Sequence, residues 1–416
     1  MRRRPATEGG SRGRPPAAEL PHRRWMRAAL RLARRARGQT SPNPLVGAVL
    51  VRGRRIIGRG WHHQAGAPHA EIEALRDADR RGQSTSRATL YVTLEPCCTH
   101  GRTPPCTEAI IHAGIKQVVA AATDPNPAHR GRGFRLLRRA GVRVTTGVLA
   151  AEAVAMNPAF NHWIAHGTPL VTVKSAMTLD GKIATAQGES KWITGPPARA
   201  RAMELRRDAD AILVGVQTVL VDDPALTVRS SAGLPAAARR GGGTEAAESA
   251  AQPARRPRRI VLDAMARTPP GSQVLTDRYA ELTTIVVSPA APPHRVKRLA
   301  RLAKVLVAPA RKGMIDLRWL LRRLGAEEVT SLLVEGGGEV NASFLARNLA
   351  QQIAFFYAPK VLGGRTARKA VGGTGAANWV DVRRLEALRW ERLGRDLLLT
   401  ARLQTGGGPE RGVNRK

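Results

Sequence analysis

Thr93-Leu94-Glu95-Pro96-Cys97-Cys98-Thr99-His100-Gly101-Arg102-Thr103-Pro104-Pro105-Cys106, with His69-Ala70-Glu71 upstream of it, carries the densest chemistry of the chain. One imidazole and two thiolates form a borderline-soft donor set suited to Zn²⁺. Three protein ligands leave the fourth tetrahedral position open to water, as in a catalytic site; a structural site would be closed. His69, Cys97 and Cys106 are the expected ligands of one zinc per chain. Cys98 is the competitor, but adjacent residues in one backbone conformation rarely present both thiols to one ion. Pro68 precedes His69 and Pro105 precedes Cys106, a first-turn arrangement that puts both ligand groups where helices begin. A helix N-terminus should also ease ionisation of Cys106. Glu71 is placed to reach a water at the open position, take its proton and deliver it to a ring nitrogen and a departing amine.

The elements around this stretch alternate. A helix is expected over 22–37, then strands at 45–51 and 56–61, a helix opening near Ala70, a strand at 88–94, a helix opening near Pro105, a strand at 117–122, a helix at 131–140 and a strand at 142–145. That order reads as a three-layer α/β domain over 22–166. A second α/β series occupies 167–404. It has strands at 170–175, 211–215, 259–263, 283–287, 331–335 and 352–358 and a helix from Pro196. Within it, 230–258 is Ala, Gly, Arg and Ser with almost no large apolar residue, a surface insertion unable to build a core. Residues 1–21 read as a disordered basic lead-in and 405–416 as a disordered tail.

The length of 416 residues fits two domains, and the 43% apolar content fits globular ones. No apolar run approaches a membrane span, and the basic N-terminus has no apolar segment of a secretory signal behind it. Three cysteines are too few for a disulfide framework and point to a reducing compartment, so a cytoplasmic location is expected. The formal charge of +36 invites a nucleic-acid reading, but the arginines are scattered and only 4% of residues are aromatic. Base-stacking platforms need aromatic residues beside the basic ones. Attraction of small phosphorylated molecules is a weaker, compatible consequence of the charge. No nucleic acid and no membrane are expected as partners, and a homo-oligomer is expected.

A His-x-Glu motif followed by Pro-Cys is the design of zinc nucleobase deaminases. The spacing here is longer than their usual Cys-x-x-Cys. With Ser41-Pro42-Asn43-Pro44-Leu45-Val46-Gly47-Ala48-Val49 and Gly60…His62…Ala65-Gly66…His69-Ala70-Glu71, it resembles the deaminase half of the bifunctional riboflavin-biosynthesis deaminase–reductases. The resemblance implies a cytidine-deaminase-like fold, with His69, Cys97 and Cys106 on zinc and Glu71 as catalytic proton shuttle. It also implies Asn43 on the pyrimidine edge and Asp124-Pro125-Asn126-Pro127 as a substrate loop. A tRNA or single-strand deaminase with an accessory domain is the alternative.

The second series has no Gly-x-Gly-x-x-Gly after a strand. It does have Glu335-Gly336-Gly337-Gly338 running into a helix, where backbone N–H groups can meet a pyrophosphate; alone, that triplet fits a tight turn equally well. Three further runs are similar to the reductase half of the same family. They are Val173-Lys174-Ser175-Ala176-Met177-Thr178-Leu179-Asp180-Gly181-Lys182, Gly188-Glu189-Ser190-Lys191-Trp192-Ile193-Thr194, and Val214 to Val219 with Asp222-Asp223-Pro224-Ala225-Leu226-Thr227. That half has a dihydrofolate-reductase-like fold, which uses NADPH without a Rossmann motif. The resemblance implies NADPH contacts at Ala176, Trp192, Thr218, Asp222, Ala264, Gly337, Gly338, Glu339, Val340, Asn341, Ala342 and Ser343. It implies substrate contacts at Ser190, Arg206, Leu226, Arg229 and Glu335. Lys174 or Asp222 would supply the proton of the reduction.

Overall fold

The computed structural model describes residues 20–100, 104–228, 256–311 and 313–404. The expected lead-in up to residue 19, residues 230–255 of the expected insertion and the tail from 405 lie outside the described residues. Contacts divide the chain into two compact units between Asn157 and Pro158.

The first unit runs α1 (Leu20–Ala33), β1 (Gly47–Arg52), β2 (Arg55–Trp61), α2 (Ala70–Arg80) and β3 (Thr89–Leu94). It continues through α3 (Cys106–His112), β4 (Gln117–Ala122), α4 (Arg132–Arg139), β5 (Arg143–Thr146) and α5 (Ala150–Met156). The sheet order is β2-β1-β3-β4-β5, antiparallel from β2 to β3 and parallel from β3 to β5. Successive side chains on a strand point to opposite faces, and here both faces are apolar. Ala48, Leu50, Leu90, Val92, Val118 and Ala120 pack with Ala74, Ile110 and Leu137 of α2, α3 and α4. Val49, Val51, Tyr91, Val119 and Ala121 pack instead with Met26, Ala29 and Leu30 of α1 and Ala153 of α5. Helices on both faces of one sheet make the three layers.

Close approach fixes where α2 begins. A Cβ on Gly60 of β2 would stand 2.2 Å from the Ala70 carbonyl oxygen and 2.3 Å from the Ala74 nitrogen. Only glycine lets the first turn of α2, with His69 before it and Glu71 in it, lie directly on the strand.

The second unit opens with α6 (Pro158–His166), whose Trp163 indole N–H donates to the Gly325 carbonyl at 2.9 Å. The sequence carried the first domain to His166; by contact, this helix goes with the second. Next come β6 (Leu170–Thr178), β7 (Lys182–Ala184), α7 (Pro196–Asp208), β8 (Ala211–Gly215), α8 (Val216–Asp222) and β9 (Arg258–Leu262). α9 (Gln273–Thr276), β10 (Thr283–Val287), α10 (Pro293–Ala300), β11 (Lys304–Val307), β12 (Ala310–Arg311), β13 (Met314–Ile315) and α11 (Leu317–Ala326) follow. The unit ends with β14 (Ser331–Val334), α12 (Gly338–Ala346), β15 (Gln352–Ala358), β16 (Arg368–Lys369), β17 (Leu385–Leu393) and β18 (Asp396–Leu403).

Its nine-stranded sheet has the order β11-β10-β9-β8-β14-β6-β15-β18-β17. β11 to β15 pair in parallel, and β18 and β17 close the edge antiparallel. The reading of the sequence contained no strand after Ala358. β17 carries charged residues and is exposed over most of its length, so its apolar alternation is weak. The parallel strands are continuous apolar runs because both faces are covered: Val171, Val173, Leu213 and Val334 join the core with Phe344, while Ile212, Val214, Val261 and Ile285 join the opposite one.

Gly60→Ala should destabilise the first unit by about 1–3 kcal/mol, the usual cost of forcing atoms into a packed interior. Gly271→Ala, with nothing within 4 Å of its added Cβ, should be nearly neutral. Thermal unfolding of the two variants checks the contrast.

Candidate active sites

In the first unit the expected metal ligands converge. His69 sits just before α2 in extended conformation, its side chain free of any capping bond. Cys97 lies in the loop leaving β3, and Cys106 is the first residue of α3. His69 Nδ1 is 3.4 Å from Cys97 Sγ and 3.3 Å from Cys106 Sγ, and all three donor atoms lie within 4.8 Å of one another. A tetrahedral zinc bound at roughly 2.0–2.3 Å holds its ligand atoms about 3.5 Å apart, so the donors fit that ion with little movement. Cys98 turns away, its sulfur 4.0 Å from His129 Nδ1.

The Cys106 thiol donates to Cys97 Sγ, which holds Cys97 at about 4, while the same contact, with burial, pushes Cys106 up. Cys97 is the thiolate and Cys106, at the helix start, the thiol: the hydrogen bond and burial outweigh the easing expected of the seven-residue helix. A bound divalent cation deprotonates a coordinating thiol outright, so both sulfurs remain competent ligands. Glu71 is buried at 3% exposure in the first turn of α2. Burial, with the Cys97 charge adding to it, pushes its carboxyl up to about 7. A carboxyl at that value both takes and returns protons near neutrality.

Two buried groups position this centre, and neither was assigned a role from the sequence. His62 Nδ1–H donates to the Pro68 carbonyl at 3.1 Å, so its Nε2 accepts from the Asn43 amide at 3.0 Å. Burial lowers the His62 pKa, which suits that neutral tautomer. Asn43 thus commits its amide N–H to His62. Glu95 accepts from the backbone N–H of Asp124 at 3.2 Å and of Gly131 at 2.9 Å, tying the Asp124–Pro127 loop to the strand end that leads to Cys97.

In the second unit a cleft of about 1470 Å³ opens where β6, β8 and β14, neighbours in the sheet, end. Carboxyl ends of parallel strands are the usual ligand crevice of such sheets. Ala176, Ser190, Trp192, Arg206, Thr218, Asp222, Glu335, Gly337, Gly338, Glu339 and Val340 line it, with Lys174. Leu226, Ala264, Asn341, Ala342 and Ser343 are not among its lining residues. Leu226 instead packs into the core at 2% exposure, and Asn341 is fully buried, its amide donating to the Ala370 carbonyl at 2.8 Å. Arg229 lies outside the described residues. The volume exceeds the roughly 300–1,000 Å³ of a site for one drug-sized ligand, and so accommodates a cofactor with a substrate beside it. Gly337 precedes α12, and a Cβ there would meet nothing within 4 Å, leaving the backbone open to the cleft.

Glu335 anchors the floor. Arg206 Nε and Nη2 donate to its two oxygens at 2.8 and 2.7 Å, and Lys174 Nζ lies 3.9 Å away. Burial would raise this carboxyl, but Arg206 and then Lys174 outweigh it and hold Glu335 at about 2. Arg206 also donates to the Thr227 carbonyl at 3.1 Å, so much of its fork is already used within the protein. Ser190 Oγ donates to Asp222 at 3.1 Å, joining an expected substrate contact to an expected cofactor contact.

Comparison with known proteins matches residues 20–122 to the cytidine and deoxycytidylate deaminase zinc-binding region and residues 169–399 to the RibD C-terminal domain. The riboflavin biosynthesis protein RibD of Actinobacillus pleuropneumoniae is 41% identical over 90% of this chain and 93% of its own length. The chain belongs to the RibD family. The RibD protein of Escherichia coli strain K12 is 39% identical over 82% of this chain and 88% of its own. Among solved structures, Acinetobacter baumannii RibD superposes with a TM-score of 0.79 at 32% identity, covering 93% of this chain and 100% of that one. A Thermotoga maritima diaminohydroxyphosphoribosylaminopyrimidine deaminase/5-amino-6-(5-phosphoribosylamino)uracil reductase does so at 0.75 and 32%, with the same coverage. The RibD family accounts for both folds expected from the sequence, the cytidine-deaminase-like first unit and the dihydrofolate-reductase-like second. It makes the chain an enzyme of riboflavin biosynthesis, with zinc belonging to the deaminase unit and NADPH to the reductase unit.

Purified protein should carry about one zinc per chain. Metal analysis should find it lost from Cys97→Ser and Cys106→Ser but kept in Cys98→Ser; a Cys98-dependent metal would reassign the ligands.

Proposed function

We propose that the first unit hydrolyses 2,5-diamino-6-ribosylamino-4(3H)-pyrimidinone 5′-phosphate to 5-amino-6-(5-phosphoribosylamino)uracil and ammonia, and that the second reduces the ribose of that product to a ribityl chain with NADPH. The observation that carries this is the gathering of His69, Cys97 and Cys106 around the buried Glu71 carboxyl, in a chain whose relatives match it over both units.

Zinc held by the three ligands supplies the Lewis acidity that makes a water nucleophilic near neutral pH. Glu71 would carry one proton of the attacking water to the ring nitrogen and the second to the departing amine, which leaves as ammonia. Asn43, held by one amide N–H on His62, offers its carbonyl oxygen and its second N–H to the pyrimidine edge. The Asp124–Pro127 loop, held by Glu95, closes around the sugar phosphate.

In the second cleft NADPH supplies the reducing equivalents. Gly337 and the α12 N-terminus receive its pyrophosphate, and Ala176, Trp192, Thr218 and Asp222 flank the rest of the cofactor. Ser190 and Arg206, with Arg229, bind the phosphorylated substrate. Glu335, 3.9 Å from Lys174 Nζ, holds that side chain in place to give a proton to the ring oxygen as C1′ is reduced, with Asp222 the alternative donor. A polymer deaminase would leave this second cleft without a use.

A homo-oligomer is part of the same proposal. β17 is an edge strand exposing Leu388 and Trp390, and the turn at Trp379–Asp381 exposes Trp379 and Val380. Exposed apolar edges of this kind are normally covered by another chain. A cytoplasmic location is supported by three free thiols, and among the described residues no helix is long and apolar enough to cross a membrane.

Glu71→Gln should keep zinc yet lose deamination by about 10²-fold or more, the scale of general acid–base catalysis. NADPH oxidation with pre-deaminated substrate should continue nearly unchanged. Ammonia release at the parental rate would remove Glu71 from the proton path.

A further inference from the structure

One wall of the reductase cleft is held in a conformation that its own residues disfavour. After α8 the chain turns through Asp223 at φ +40° and Leu226 at φ +49°, the left-handed region that non-glycine residues rarely occupy. Such backbone persists only where its surroundings over-determine it, and it concentrates at functional sites. Asp222, Asp223, Pro224, Ala225 and Thr227 of this turn line the cleft.

Two side chains on other elements hold the turn. Arg259 of β9, 1% exposed, reaches behind it and donates from Nη1 to the Ala225 carbonyl at 2.9 Å. Its fork is fixed by Asp277 at 2.7 and 2.9 Å and by the carbonyls of Val274 and Tyr279. Gln273, at the start of α9, donates from Nε2 to the Asp223 carbonyl at 2.7 Å and from its backbone N–H to Asp223 Oδ1 at 2.8 Å. The turn passes this constraint on. The Thr227 carbonyl accepts from Arg206, which grips Glu335, and Asp222 accepts from Ser190.

We propose that Arg259 and Gln273 are positioning residues of the reductase, clamping the Asp223–Leu226 turn so that Arg206, Ser190 and Asp222 are preset for the phosphorylated substrate. This rests on reading the cleft as the reductase site. Neither residue touches the reacting atoms; both act through the turn. A lysine at 259 keeps the charge but lacks the planar fork. Gln273 is an exposed residue whose loss leaves no hole, which separates positioning from folding.

The test is reductase kinetics on the full chain with NADPH and the deaminated substrate, together with melting temperature and equilibrium NADPH binding by fluorescence. Gln273→Ala should raise the substrate KM roughly five- to tenfold, the scale of one lost hydrogen bond, with melting temperature and NADPH affinity nearly unchanged. Arg259→Lys should raise KM further. A parental KM in Gln273→Ala would overturn the clamp. A parent protein that fails to reduce the substrate at all would instead overturn the reading of the cleft.

Discussion

Taking a carboxylate out of water is costly unless the protein supplies what water did. Both sites depend on how that constraint is met, and they meet it in opposite ways. Burial and the Cys97 charge outweigh the opposing pull of His69 and push Glu71 to about 7, where a carboxyl can carry a proton in either direction. Glu335 lines its cleft at 9% side-chain exposure, and Arg206 and Lys174 hold it at about 2, an anion. The first is poised to carry a proton, the role proposed for it, and the second is a counter-charge to two cations. The same residue type does both jobs because its neighbours differ.

The scaffold puts these carboxylates where chemistry can use them. In the first unit the loop leaving β3 and the first turns of α2 and α3 bring a thiolate, an imidazole, a thiol and a carboxyl together, and glycine at position 60 lets α2 lie close enough to do so. In the second, three neighbouring parallel strands end at one cleft, and α7, α8 and α12 bring their side chains to it. Helix starts and strand ends carry these groups, while the loops beside them are pinned by buried residues, Glu95 in one unit and Arg259 in the other.

Much of this was legible in the sequence, for a physical reason. Strands covered on both faces are unbroken apolar runs, so β1, β3, β4, β8 and β14 stand out. Metal ligands need rare residue types at short spacing, so His69, Cys97 and Cys106 could be named together. What was not legible depends on partners distant in sequence. Arg206 meets Glu335 across 129 residues, and nothing local marks either as half of a pair. That Cys106 keeps its proton was not legible, because this is set by a sulfur–sulfur contact and by burial, whereas the helix start was the only signal visible locally. Leu226 reads as a substrate contact within its motif, yet its positive φ turns the side chain into the core. The β17–β18 hairpin escaped notice because an exposed edge strand lacks the buried face that makes a strand readable.

Two joined activities in one chain make a stoichiometric demand. The direct measurement is to follow ammonia and NADPH together while the purified protein consumes the diaminopyrimidine phosphate. Equal amounts of ammonia released and NADPH oxidised are expected, with ammonia alone appearing when NADPH is withheld. Ammonia release that never draws on added NADPH, or NADPH oxidation without ammonia, would contradict the assignment of both reactions to this chain.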